Sequence, residues 1–212
     1  TVFKENLTSK ILQTDVLKLI IRSKKKLNIL EMGCGNGNIS KFLIENQTII
    51  KHNYFLSDIS IQAIKSAKKN INYDKSVFKV GSLYEPWGNY KFDLIISDVS
   101  SIADDVAIHS EWYKGVTCDS GKDGLKNIEL IINQSKKFLN KKGRLIFPVI
   151  SLCNVKKLKK ITSKNFTKIK YSTKKLWPLP KFFSNKIDIF LKLKKKNLIE
   201  YEEKFGIFIA YT

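Results

Sequence analysis

Leu27-Asn-Ile-Leu-Glu31-Met-Gly33-Cys34-Gly35-Asn-Gly37-Asn-Ile-Ser40 decides how the rest of the chain is read. Leu27, Ile29 and Leu30 lead in as a short apolar strand, and Ile39, Phe42 and Leu43 leave at helical spacing. Between them the acid Glu31 precedes glycines at the alternate positions 33, 35 and 37. A strand that stops at such a turn and restarts as a helix brings bare backbone and the first helical N–H groups against a ligand. A dinucleotide turn of the G-x-G-x-x-G kind needs glycine at 38, where this chain has Asn38.

Working outward, the pattern of strand then helix repeats. Asn53–Asp58 reads as a second strand ending in an acid, Ser76–Val80 as a third followed by Gly81-Ser82-Leu83, and Phe92–Ser97 as a fourth that runs into Asp98-Val-Ser100-Ser101. A fifth strand turns out of Asn140-Lys-Lys-Gly143 toward Phe147. Such alternation predicts a parallel sheet with right-handed crossovers, whose ligands bind beyond the carboxyl ends of the strands. Glu31, Asp58, Ser82 and Asp98 would share that rim. Asp58 stands where a carboxylate can accept from both hydroxyls of a nucleoside ribose. The alternative for it is capping of the following helix.

Before the glycine turn, Leu7, Ile11, Leu12, Val16, Leu19 and Ile20 predict a helix over 7–25, capped by Asn6 or Thr8 and closed by the run Lys24–Lys26. In the last part of the chain, a helix carries Leu152, Val155, Leu158 and Ile161, and a sixth strand spans Phe166–Tyr171. Trp177-Pro-Leu-Pro180 marks a break, 182–203 a helix, and Phe205–Tyr211 a final strand.

The acid followed by G-x-G-x-G resembles the first motif of class I S-adenosylmethionine methyltransferases. The resemblance implies an α/β fold, a Rossmann-like, seven-stranded, mostly parallel sheet with helices on both faces and the last strand antiparallel. It implies one domain over 1–212: a helix about 7–25, a core about 27–150 and C-terminal strands with an insertion over 151–212. It implies S-adenosylmethionine as cofactor, held by Glu31, Gly33, Cys34, Gly35, Gly37, Asp58, Ile59, Ser82, Leu83 and Asp98. Glu31 would face its cationic methionine part and Ile59 its adenine, with Phe3 and Thr8 as covering contacts. No metal is expected.

Asp98-Val-Ser100-Ser101 occupies the place of the fourth motif, which in enzymes acting on amide or amino nitrogens reads Asn or Asp, Pro, Pro, then Tyr or Phe. This chain keeps the acid and lacks both prolines and the aromatic. Gly121-Lys-Asp-Gly124-Leu125 and the Lys-Gly turn before the fifth strand are similar to the release-factor glutamine methyltransferase branch, over about 27–150. The resemblance implies methyl transfer to a nitrogen of a protein, RNA or small molecule, with Asp98 and Ser100 as catalytic residues. The long connection from Ser101 to Lys122 reads as a functional loop, with Ser101, His109, Trp112 and Tyr113 as candidate substrate contacts.

Composition bounds the partners. The 212 residues suit one domain, 43% of them are hydrophobic, and no apolar run is long enough to span a membrane. Cys34, Cys118 and Cys153 are odd in number and widely spaced, which predicts a reducing, cytoplasmic setting without disulfides or a zinc site. The formal charge of +20 predicts attraction to nucleic acid, yet only Arg22 and Arg144 are arginines. Lysine without arginine fits a generic solvated surface equally well. Two rivals follow: a basic nucleic-acid- or ribosome-binding module that keeps the fold without transfer, and a nicotinamide-dependent oxidoreductase.

Overall fold

The computed structural model describes residues 7–113, 118–200 and 204–211, at 7 and over 171–178 and 204–211 as backbone alone. At its centre β1 (Asn28–Met32) lies between β2 (Asn53–Asp58) and β4 (Phe92–Ser97), parallel to both. Glu31 pairs in register with Leu56 on one side and Ile96 on the other. β3 (Ser76–Val80) extends the sheet outside β2, and β5 (Leu139–Ile150) outside β4, so that the wholly parallel part is β3-β2-β1-β4-β5. Beyond β5, β7 (Lys204–Tyr211) runs antiparallel to it, and β6 (Lys170–Pro178) pairs antiparallel with β7. The described sheet therefore has the order β3-β2-β1-β4-β5-β7-β6. Strand order reverses between β1 and β4, the place where α/β sheets open a crevice for ligands.

The central strands are nearly continuous in apolar residues because helices cover both faces. On one face α1 (Leu7–Ile20), α2 (Asn38–Asn46), α3 (Ile61–Asn70), α4 (Asp104–Ala107) and α7 (Ile187–Lys195) close a core built on Leu12, Val16, Ile29, Tyr54, Ile96 and Phe190. On the other, α5 (Lys126–Ser135) and α6 (Val155–Asn165) close a core of Leu30, Phe92, Ile95, Ile132, Leu145 and Leu158. The Tyr84–Trp87 stretch is a single 3-10 turn whose Trp87 is completely buried in this second core. Its indole Nε1 donates to Ser57 Oγ at 3.0 Å, and its ring meets Phe55 and Phe92 edge-on at 5.8 and 5.7 Å.

Four boundaries differ from the sequence expectation. α1 stops at Ile20 rather than 25, because Ser23 Oγ donates to the Lys25 carbonyl (2.8 Å) and accepts from the Lys25 N–H (3.3 Å), a local turn that competes with the helix. Thr8 lies inside α1 rather than capping it, and Asn6 and Phe3 fall outside the described residues. α6 runs to Asn165, with the Phe166 N–H closing on the Thr162 carbonyl, so the expected strand at 166–171 moves to 170–178. That strand reaches Pro178 because β6 is the edge of the sheet, where proline's missing N–H breaks no ladder. The expected helix over 182–203 is a 3-10 segment, Lys181–Lys186, followed by α7, which ends before Asn197 at φ 55°. Residues 201–203 lie outside the described residues.

Candidate cofactor and acceptor site

At the carboxyl ends of β1, β2 and β4, the turn after each strand opens into a cavity of about 660 Å³, with Thr8 and Ser9 of α1 on its wall. That volume is in the range of small-molecule and cofactor sites, on the order of 300–1,000 Å³.

The glycine turn forms one wall. Gly33, Gly35 and Gly37 all have left-handed φ (67°, 54° and 76°). A Cβ on Gly33 would stand 2.8 Å from Val99 Cγ1, so glycine is what keeps the β1 and β4 turns close without filling the cavity between them. The Cys34 N–H donates to the Ser57 carbonyl at 3.0 Å, and the Gly35 N–H to Asp58 Oδ2 at 2.9 Å. Asp58 Oδ1 accepts from the Ser60 N–H at 2.8 Å, while the cap of α3 is Ser60, whose hydroxyl accepts from Ala63. Asp58 is thus a tie between two strand ends rather than the helix cap. Its two oxygens keep lone-pair capacity toward the cavity.

Glu31 is 2% exposed, and its Oε2 accepts from the Ser40 N–H in the first turn of α2 at 2.9 Å. Burial pushes its carboxyl up to about 7, with the neighbouring Asp98 and Asp58 adding to the effect. A cation lodged beside it would restore the ionised form.

At the opposite end, Ser9 Oγ donates to Asp98 Oδ2 at 2.5 Å, so α1 fixes the carboxylate that follows β4. Ser100 Oγ donates to Tyr113 Oη (2.9 Å), accepts from Ser120 Oγ (2.9 Å) and lies 2.8 Å from Cys118 Sγ. Burial raises the Tyr113 phenol, which keeps it a neutral hydroxyl. The Gly121–Leu125 stretch supports this end from behind. Asp104 accepts from the Ser120 N–H, and a Cβ on Gly124 would meet the backbone of Ile102 at 2.7 Å.

Glu31, Gly33, Cys34, Gly35, Asp58, Ile59, Ser82, Leu83, Asp98, Ser100, Ser101 and Tyr113 all line the cavity, as does Thr8. Ile59 does so at its rim, 75% exposed. Three expected residues do not line it. Gly37 is the N-cap of α2, and a Cβ there would strike Ile71 of the turn after α3 at 2.8 Å, so it serves helix packing. His109 turns away, its Nδ1 3.0 Å from Lys186 Nζ. Trp112 packs edge-on against Phe182 and Phe183, both at 5.7 Å. Sequence reasoning missed Ser9, Cys118, Asp119 and Asn127 on the wall. Ser9 had a signal: Ser9 and Gln13, four residues apart, fall on the same buried face as Leu12 and Val16.

A methyltransferase-domain family model matches residues 23–206. The chain belongs to this methyltransferase family. The Bifunctional methyltransferase of Rickettsia bellii is 31% identical over 134 residues, 59% of this chain and 24% of that protein. The chain thus spans about a quarter of the length of the curated relatives it matches. Among solved structures, a ribosomal protein L11 methylase from Lactobacillus delbrueckii subsp. bulgaricus superposes at a TM-score of 0.58 with 16% identity, covering 97% of this chain and 79% of its own. A 16S rRNA N2 G1207 methyltransferase of T. thermophilus, in complex with AdoMet and guanosine, superposes at 0.60 with 12% identity, covering 99% and 43%. These structures share the Rossmann-like α/β fold. The cavity has what S-adenosylmethionine would need: Asp58 for ribose hydroxyls, Ile59 for an apolar face, Glu31 for positive charge, and a backbone that Gly33 keeps open. Among the described residues no cluster of His, Cys, Asp and Glu is placed to hold a metal, and no helix is long and apolar enough to cross a membrane.

Proposed function

We propose that this methyltransferase acts on a nitrogen that Asp98 presents to the cofactor's methyl group. The observation that carries the reading is Asp98 itself, on the cavity wall at the end of β4 and clamped by Ser9 at 2.5 Å. The cofactor supplies an activated methyl and a good leaving group, so the chain's work is alignment, which can contribute on the order of 7–11 kcal/mol. A carboxylate accepts an N–H and turns the nitrogen lone pair toward the cavity, and Ser9 removes the rotation that would blur that aim. Ser100 and Ser101 offer further hydrogen bonds to the acceptor, and Tyr113 anchors Ser100.

The Gly121–Leu125 turn supports a relation to the release-factor glutamine branch, since it holds the segment after Asp98 in place. Asp98-Val-Ser-Ser supplies less than that branch's prolines and aromatic would, so glutamine is one nitrogen among several that fit. The binding-only rival is not favoured, because Asp98 and its clamp are both in place. The test is labelled methyl transfer from S-adenosylmethionine into a cell extract by wild type and Asp98→Ala. Loss of about 100-fold in incorporation at saturating cofactor is expected. Unchanged incorporation removes Asp98 from the acceptor role.

A further inference from the structure

The distribution of charge at this site is uneven. The described residues on the cavity wall include the carboxylates of Glu31, Asp58, Asp98 and Asp119 and no lysine, arginine or histidine, in a chain of formal charge +20. Asp119 is paired with Lys126, and an acceptor that placed its own carboxylate or phosphate against Glu31, Asp58 and Asp98 would meet like charge. A neutral group rich in N–H donors would not.

The segment that backs the acceptor end also carries exposed lysines. Tyr113 lines the cavity, and its neighbour Trp112 packs on Phe182 and Phe183 of the 3-10 segment that leads into α7. Lys186 of the same segment contacts His109 at 3.0 Å, and α7 packs against α4. From this base α7 buries Phe190 and Leu193 and turns Lys192, Lys194 and Lys195 to solvent, with Lys196 exposed at its C-cap and Lys181 exposed ahead of it. Asp188 in its first turn is the acid on the exposed side of this helix.

We propose that single-stranded nucleic acid docks on this lysine face, its phosphates outside on α7 and an unpaired acceptor base inside the cavity. The inference rests on the reading that Asp98 presents a nitrogen, and it names the substrate class. A nucleobase is a planar, uncharged carrier of N–H donors, which suits a wall of carboxylates and hydroxyls. The phosphodiester chain that accompanies it needs cations nearby and not within. Lysine without arginine is adequate to that division, since a mobile point charge tracks phosphates without reading sequence, and recognition of the base is left to the cavity. A single strand is required because a base stacked in a duplex cannot enter.

The experiment is fluorescence anisotropy with a labelled single-stranded RNA of about 20 nucleotides and a DNA of the same sequence, from about 50 to about 200 mM salt. Wild type is compared with a variant carrying Lys192, Lys194, Lys195 and Lys196 changed to Gln. A control of equal charge loss changes Lys156, Lys159, Lys160 and Lys164 of α6, exposed on the opposite face of the sheet. The α7 variant is expected to bind about 10-fold or more weakly, with a salt slope shallower by about 2–3, while the α6 variant stays close to wild type. The RNA and DNA arms show which polymer is preferred, and α7-dependent binding of either supports the proposal. Equal losses in the two variants, equal capture of polyglutamate, or no binding at low salt overturns it. Calorimetry with S-adenosylmethionine on the same preparations separates the two layers: intact cofactor binding with no α7 effect removes the docking surface alone, and absent cofactor binding removes the methyltransferase reading of the cavity.

Discussion

Replacing Glu31 by Gln should flatten a pH dependence that this one carboxylate imposes on folding. Burial is the largest cause that raises its pKa from 4.5 to about 7; the Ser40 N–H opposes it, and Asp98 and Asp58 add to it. A carboxyl whose pKa is higher folded than unfolded contributes stability that is complete below the unfolded value and lost as pH climbs through the folded one. The window therefore runs from 4.5 to about 7. At ~1.4 kcal/mol per pH unit, wild type stands to lose ~3 kcal/mol across it relative to a chain without the titration. The assay is urea unfolding of ligand-free wild type and Glu31→Gln at about pH 5 and about pH 8, with the difference of differences isolating this group from other titrations. Wild type should lose ~2–3 kcal/mol more than the variant over that interval. Binding the cationic cofactor favours the ionised carboxylate, so cofactor affinity should rise with pH through the same window in wild type and change less in the variant. Parallel pH profiles for the two proteins would refute the reasoning, since Glu31 would then be solvated or already paired.

Two further substitutions probe the frame of the site. Gly33→Ala puts a Cβ 2.8 Å from Val99 Cγ1 at φ 67°, and should cost ~1–3 kcal/mol in urea unfolding and weaken cofactor binding about 10-fold, with Val99→Ala restoring part of the loss. A Gly33→Ala protein equal to wild type in both would show that the two turns are not in contact. Trp87→Ala empties the centre of the second core and should lower stability by ~3–5 kcal/mol, read as a shift in urea midpoint at unchanged slope, while cofactor affinity per folded molecule stays near wild type. A loss below ~1 kcal/mol would place Trp87 outside the core.

The parts of this molecule that were legible in the sequence are those fixed by local backbone chemistry. Three alternate glycines after an apolar strand leave few conformations open, and Glu31, Gly33, Gly35, Asp58 and Asp98 duly meet at one cavity. Gly37 shared the motif but not the cavity, because whether a glycine clears space for a ligand or for a neighbouring helix depends on Ile71, which is distant in sequence. His109 and Trp112 have suitable chemistry but stand in a loop, where no period says which way a side chain points; packing on Phe182, Phe183 and Lys186 decides it. Ser9 was overlooked for the opposite reason. It interrupts the apolar stripe of α1, and a polar residue on a buried face needs a partner, here the carboxylate of Asp98. The position of β6 is not legible because prolines break a central strand and are tolerated at an edge, and the sequence does not say which strand is the edge.

Calorimetric titration of S-adenosylmethionine into wild type and Asp58→Ala tests the central claim most directly. Binding of one cofactor per chain is predicted for wild type. Loss of the Asp58 carboxylate, which ties the glycine turn at 2.9 Å and lines the cavity, should weaken it by about 10- to 100-fold, with the far-UV spectrum of the folded chain retained. No binding to folded wild type, or equal affinity in the variant, would contradict the assignment of this cavity to the cofactor.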